Sequence, residues 1–299
     1  MGAFYVEYEY WIAAFQLATA MLGMGATLRL KDFRDLALTP MPVALGTVVQ
    51  LVVVPIVAFL FLRLLGVEGG VAVGIAIIAS IPGGTISNIF TFLARGNITL
   101  SISITGLTTI ACLITTPLIL GLLMQDNLPA DFAMPTGEIV NDILFVLLLP
   151  LALGMLYLFM YPSSAPKFSK WCIRASLFGI LLIVLGSLAA GRVDLVAYGI
   201  DNIMLLVLFT LLLAGTAWLT PVLMRLSRPD ASAVGFEVVI RNVNLGVMLK
   251  ATMFPAAAAS PLGDTVLFTL LFYGALMFAI APLFLWLYQR GDRERPKPV

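Results

Sequence analysis

Apolar runs of about 20 residues follow one another along almost the whole 299-residue chain, separated only by short polar breaks. A helical run of that length matches the hydrocarbon core of a bilayer, and a chain made of such runs has no stretch left for a soluble domain with its own active site. Composition agrees: 61% of residues are hydrophobic and 11% charged, with a mean hydropathy of +1.06, against roughly 45–50% and 25% in soluble domains. The chain reads as an all-α integral membrane protein, one membrane domain over residues 1–299, whose function lies inside the bundle. A net charge of +1, with neither a basic stripe nor an acidic tail, argues against nucleic acid and leaves the lipid bilayer as the large-scale partner.

The runs divide into nine segments: 8–28, 41–65, 70–93, 97–124, 138–160, 169–190, 199–224, 231–254 and 262–289. The N-terminal MGAFYVEYEY is acidic and aromatic where a cleaved signal would be basic, and Val6 stands where a myristoylation motif needs Ser or Thr, so the first segment is expected to stay. Of the 17 Lys and Arg residues, thirteen fall on one side of a nine-crossing topology, while Arg63, Arg192 and Lys250 fall near the other and Arg241 belongs to neither. The positive-inside rule then puts the tail GDRERPKPV in the cytoplasm and the N-terminus outside, in a plasma (inner) membrane. Cys112 and Cys172 have no metal or redox spacing and read as packing residues. The sequence does not fix the oligomeric state, and a monomer is compatible with it.

Segments 70–93 and 231–254 differ from the rest because polar groups stand at mid-depth, in IPGGTISNIF and FEVVIRNVNLG. Non-helical backbone inside a membrane is tolerated only where protein or a water-filled cavity satisfies its amides. Pro82, Gly83 and Gly84 supply a break in the first; the second has no Pro or Gly in its polar cluster, and its break rests on analogy with the first. The two polar centres lie five segments apart and run in opposite directions, the pattern of an inverted repeat of five and five helices lacking the first. Transporters of this kind place ion and substrate sites where two broken helices cross.

The order LGMGATLRLKDF, Gln50 in GTVVQLVVVP, PGGTISNIFTFLARGNITLSISIT from Pro82 to Thr105, and FEVVIRN from Phe236 to Asn242 resembles the bile acid:sodium symporter family. The resemblance implies a nine-helix form with two crossing broken helices, a core domain of segments 41–65, 70–93, 97–124, 199–224, 231–254 and 262–289, and a panel domain of 8–28, 138–160 and 169–190. It also implies a sodium ion held by Ser87, Asn88, Ser101, Thr105 and Glu237. The chemistry is sensible without the resemblance, because a hard cation needs several oxygen ligands, and Ser101 and Thr105 share one helix face.

In the family a second sodium site uses the same Glu, a Gln matching Gln50, and another Gln four residues beyond the Glu. Here that last position is Arg241, whose guanidinium has only donors and cannot ligate a cation. Three readings follow. Arg241 is a fixed charge standing where the second ion would stand and neutralising Glu237 one turn away; or it clamps a substrate carboxylate or sulfonate in bidentate fashion; or the two form a structural pair. The first is favoured. Thr85 and Asn242 are further substrate contacts or satisfy unwound backbone, while Thr269 and Tyr273 are the few polar groups that segment 262–289 offers a substrate.

The function expected is secondary active transport, the sodium-coupled symport of a small organic anion by alternating access, with one Na⁺ per anion. The alternatives are a proton-coupled or uncoupled organic anion transporter of the same fold, with Glu237 carrying the proton, or a channel. An intramembrane enzyme is disfavoured, since the chain has no His and no pair of mid-membrane Asp residues.

Overall fold

The computed structural model describes residues 2–29, 31, 40–125, 127–128, 132–255 and 260–293, the side chains of 290–293 excepted. The charge-side argument that uses Arg34, Arg290, Arg293, Arg295 and Lys297 lies outside those bounds, as do parts of the LGMGATLRLKDF motif and of the loop 125–138.

Among the described residues twelve helices follow in order: α1 Gly2–Gly25, α2 Pro40–Leu65, α3 Gly69–Ser80, α4 Thr85–Leu93, α5 Ile98–Met124, α6 Thr136–Met160, α7 Ala165–Ala189, α8 Leu195–Tyr198, α9 Ile200–Leu223, α10 Arg228–Val239, α11 Val243–Met253 and α12 Pro261–Arg293. Among the described residues six are long and apolar enough to cross a membrane: α2, α5, α6, α7, α9 and α12. The other three expected segments differ for physical reasons. Glu7, Glu9 and three tyrosines dilute the apolar character of α1, and segments 70–93 and 231–254 are each two half-helices, α3–α4 and α10–α11.

Both interruptions are real, including the one without Pro or Gly. The chain leaves helical geometry at Ile81–Gly84 and at Ile240–Asn242, and the two stretches pair as an antiparallel bridge between Gly83 and Arg241. Gly84 N–H donates to Ile240 O at 3.1 Å and Asn242 N–H to Pro82 O at 2.9 Å, so each break satisfies backbone groups of the other. Asn242 then caps α11 by accepting from Leu245 N, and the Tyr273 hydroxyl donates to Val239 O, a buried carbonyl at the end of α10.

A third irregularity positions a functional side chain. α2 widens to π-helical turns over Val49–Val53, just before Pro55. In this register the partner of Gln50 O would be the amide of residue 55, but proline has none, so that carbonyl is left free.

α1 packs along α7 and α6, and α3, buried from Val71 to Ser80, packs between α12 and α5. The α1–α6 contact requires glycine on both sides: a Cβ on Gly25 would lie 2.1 Å from Leu151 O, and one on Gly154 2.3 Å from Leu22 O. Large apolar side chains such as Leu64, Ile114, Phe159 and Leu223 stay exposed on outer helix faces, as in a bundle solvated by lipid. Cys112 and Cys172 are free and buried.

Candidate functional site

Glu237, fully buried near the end of α10, is the hub of the crossing. Its Oε1 accepts from the hydroxyls of Ser87 (2.5 Å), Ser101 (2.7 Å) and Thr105 (2.6 Å). Ser87 comes from α4 and the other two from one face of α5. Asn88 completes the group: its Oδ1 lies 2.7 Å from Ser101 Oγ and 3.4 Å from Thr105 Oγ1. All five expected sodium-site residues are therefore gathered from three helices into one cluster. Three hydroxyl protons face Glu237 Oε1, Asn88 Oδ1, Gly84 O and Ser101 O, so lone pairs outnumber donors. A set rich in hydroxyl, amide and carboxylate oxygen suits a hard, weakly charged cation.

The approach of Glu237 to the first break demands glycine at position 83. A Cβ there would sit 2.2 Å from Glu237 Oε2, and the Gly83 amide is already spent on Gln50 Oε1 at 2.8 Å.

Gln50 separates Glu237 from Arg241. Its Nε2 donates to Glu237 Oε2 at 3.2 Å, its Oε1 accepts from Arg241 Nη1 at 3.3 Å, and the free Gln50 backbone carbonyl faces Arg241 Nη2 at 3.5 Å. One expectation is corrected here. Glu237 and Arg241 are not an ion pair in direct contact, because the helix ends at Val239 and the one-turn spacing is not kept; among the described residues the ion pairs lie elsewhere. Each Nη spends one N–H on Gln50 and keeps a second. The guanidinium thus hydrogen-bonds both the side-chain and the backbone oxygen of Gln50, and its Nε has no partner.

Beside the crossing lies a cavity of about 370 Å³ between α1 and α7 on one wall and α4, α11 and α12 on the other. Thr85, Arg241 and Asn242 all line it. The first residues of α4 and α11 line it too, so the positive ends of two half-helices face the same space. Thr269 and Tyr273 do not. Both are fully buried and turned to other partners, Thr269 to Tyr198 OH and Thr265 O, Tyr273 to Val239 O; α12 shows the cavity Leu271, Gly274, Ala275, Met277 and Phe278 instead.

A second polar group joins α1 to the bundle away from the crossing. Glu9 of α1 accepts from Lys250 Nζ of α11 at 2.7 and 2.9 Å, from Arg192 Nη1 at 3.1 Å and from Tyr5 OH at 3.0 Å, while Arg192 Nε bonds Asp264 of α12. Next to this group, Asp142 of α6 accepts from the hydroxyls of Tyr10, which follows Glu9, at 2.8 Å, and of Thr252, two residues beyond Lys250. The sequence reading gave these no role, treating Lys250 and Arg192 as markers of one membrane side. An acid in an apolar helix was signal enough for Glu9. Gln16, on the cavity wall, was missed in the same way.

The interrupted, backbone-paired half-helices with a buried carboxylate at their crossing and a cavity alongside define the class: an integral membrane protein built around a broken-helix site. Comparison with known proteins makes it specific. Residues 14–197 match the sodium bile acid symporter family, and the chain belongs to that family. That match takes in Gln50 and the hydroxyls from Ser87 to Thr105 and ends before Glu237 and Arg241. The sodium-dependent transporter YocS of Bacillus subtilis is 30% identical over 254 residues, 84% of this chain and 78% of its own. A probable sodium/metabolite cotransporter, the chloroplastic BASS1 of Oryza sativa, is 39% identical over 140 residues, 47% of this chain and 34% of its own. A sodium-dependent organic anion transporter of Bos taurus is 27% identical over 249 residues, 82% of this chain and 65% of its own. The matched stretch thus spans about a third of the plant relative and about two thirds of the bovine one.

Proposed function

We propose that the protein is a secondary active transporter that moves one Na⁺ with one small organic anion across a plasma (inner) membrane by alternating access. The sodium-dependent relatives support the coupling ion, and one of them is an organic anion transporter by name. In this reading the chain crosses nine times with its N-terminus outside. α1, α6 and α7 form the panel, and α2, α3–α4, α5, α9, α10–α11 and α12 form the core that carries the crossing. The packing of α1 along α6 and α7 supports that division. Ser87, Asn88, Ser101, Thr105 and Glu237 hold the ion; Thr85, Asn242 and Arg241 face the anion across the cavity.

The observation that carries the one-ion reading is Arg241 on Gln50. Nη1 and Nη2 take the side-chain and backbone oxygens of Gln50, leaving them unavailable to a second cation. A fixed guanidinium keeps the positive charge without transporting it. Cycling one Na⁺ with a monovalent anion is electroneutral, whereas a second ion would add about 2.3 kcal/mol per 100 mV.

The test is the sodium dependence of uptake into reconstituted vesicles. A Hill coefficient of about one is expected, and a value near two would remove the one-ion stoichiometry. Uptake that follows pH in sodium-free medium would assign the coupling to a proton on Glu237 instead.

A further inference from the structure

The charged group around Glu9 lies at the same end of the cavity on every helix that the two share. Glu9 precedes the cavity residue Gln16 by seven positions on α1, Asp264 precedes Leu271 by seven on α12, Lys250 follows Val247 by three on α11, and Arg192 follows Val184 by eight, just past the end of α7. At about 1.5 Å per residue the charges stand roughly one to two turns beyond the cavity, on the face where α1 begins. At the other end a second hollow, lined by Thr27, Ser169 and Arg174, adjoins the cavity at Ile173. The cavity is thus capped by charge toward one face and continued toward the other.

The bonds of this cap sort by the helices they join. Glu9 is on α1, and Arg192 is tied to α7 through its amide on Ser187 O; Lys250 and Asp264 are on α11 and α12. Lys250 Nζ to Glu9 at 2.7 and 2.9 Å, Arg192 Nε to Asp264, and Thr252 to Asp142 all run between α1, α6 or α7 on one side and α11 or α12 on the other. Arg192 Nη1 to Glu9 at 3.1 Å and Tyr10 OH to Asp142 at 2.8 Å stay on one side. Cut along that line, the four charges divide into two neutral pairs, Glu9 with Arg192 and Lys250 with Asp264. The second pair is close enough to form, since Lys250 Cε lies 3.7 Å from where a Cβ would stand on Gly263, the neighbour of Asp264. Stripping a buried charge of its partner is what makes such a group costly to open. Division into neutral halves adds nothing to a permanent fastening and removes the main cost of a reversible one.

We propose that Glu9, Arg192, Lys250 and Asp264, with Asp142 and Thr252 beside them, form a separable latch that closes the cavity on the face where α1 begins. On opening, Glu9 keeps Arg192, Lys250 turns to Asp264, and Asp142 keeps Tyr10, so α1, α6 and α7 part from α11 and α12 without leaving a charge alone. Water enters first at Asp264, whose side chain is already 34% exposed while that of Lys250 is fully buried.

The inference rests on the alternating-access reading for the open counterpart of this closed face. Its test needs neither Na⁺ nor anion: faster labelling in a protein that moves no anion keeps the latch and removes the transport reading, and sodium-coupled uptake with unchanged labelling does the opposite. With Cys112 and Cys172 replaced by alanine, Ala275→Cys puts a thiol on the cavity wall. A membrane-impermeant maleimide is applied to oriented proteoliposomes from each face in turn. With the latch intact, labelling should be slow from the face where α1 begins. Lys250→Met should speed it about tenfold and Thr252→Val roughly threefold, since each removes a bond between the two sides. Tyr10→Phe removes a bond within one side and should leave the rate unchanged. Thermal unfolding verifies that each variant is folded at the labelling temperature; Thr252→Val, which keeps every charge, decides the result if Lys250→Met is not. The proposal is overturned if the folded variants label from that face no faster than the unaltered latch, or if Tyr10→Phe opens it as much as Thr252→Val does.

Discussion

At the scale of single residues, the site turns on one substitution of type. Glu237 with its hydroxyls and Asn88 is built of oxygen, while Arg241 presents only donors to the neighbouring oxygens of Gln50. Arg241→Gln releases both oxygens of Gln50 and adds a third acceptor beside them. Uptake by this variant should be slower yet become voltage-dependent, with one extra charge moved per cycle, about 2.3 kcal/mol per 100 mV. Current recorded during uptake in vesicles clamped at different potassium diffusion potentials checks it, and an unchanged voltage response would mean that Arg241 does not replace an ion. The residues of the Glu237 cluster were legible in the sequence because they sit in two short motifs. The relation of Glu237 to Arg241 was not. Spacing along an unbroken helix puts them on one face, but α10 stops at Val239, and Gln50, 187 residues away from Glu237 in sequence, enters between them. No local pattern announces an intruder of that kind.

At the scale of elements, the same limit explains what was read and what was not. Pro82, Gly83 and Gly84 make the first interruption visible in the sequence, since proline lacks the donor and glycine admits the close approach of Glu237. The second interruption carries no breaker; it is held by the backbone of the first and by Tyr273 from α12, both distant in sequence. The charges joining α1 to α11 and α12 were equally hidden, because each looks isolated until the helices meet. Glu9, Lys250 and Arg192 are all buried, so their worth lies in not being left alone. Glu9→Gln strands Lys250, while Arg192 keeps Asp264, and should destabilise the protein by about 3–5 kcal/mol. Lys250→Met leaves Glu9 with Arg192 and should cost less. The double variant should be more stable than the sum of the two effects by about 1–3 kcal/mol. Denaturation monitored in detergent for the four proteins of this cycle measures the coupling, and additive effects would show that the ammonium and carboxylate do not act on each other.

At the scale of the whole molecule, hydrophobic run length alone yielded the membrane class and the boundaries of most helices. Run length counts a segment as one helix whether or not its middle is open, so α3–α4 and α10–α11 read as single crossings although each is divided. The division places the free ends of four half-helices in the interior of the bundle, where the backbone amides Gly84 N–H and Asn242 N–H are consumed in pairing one break with the other. Those two protons become reporters. They exchange with solvent deuterium only if the breaks separate, so a core that carries its cargo as one rigid body keeps both protected with and without sodium and anion. Hydrogen exchange at the two positions should therefore be slow and unchanged by either ligand. Fast exchange that sodium suppresses would instead describe a crossing that assembles around the ion in each cycle.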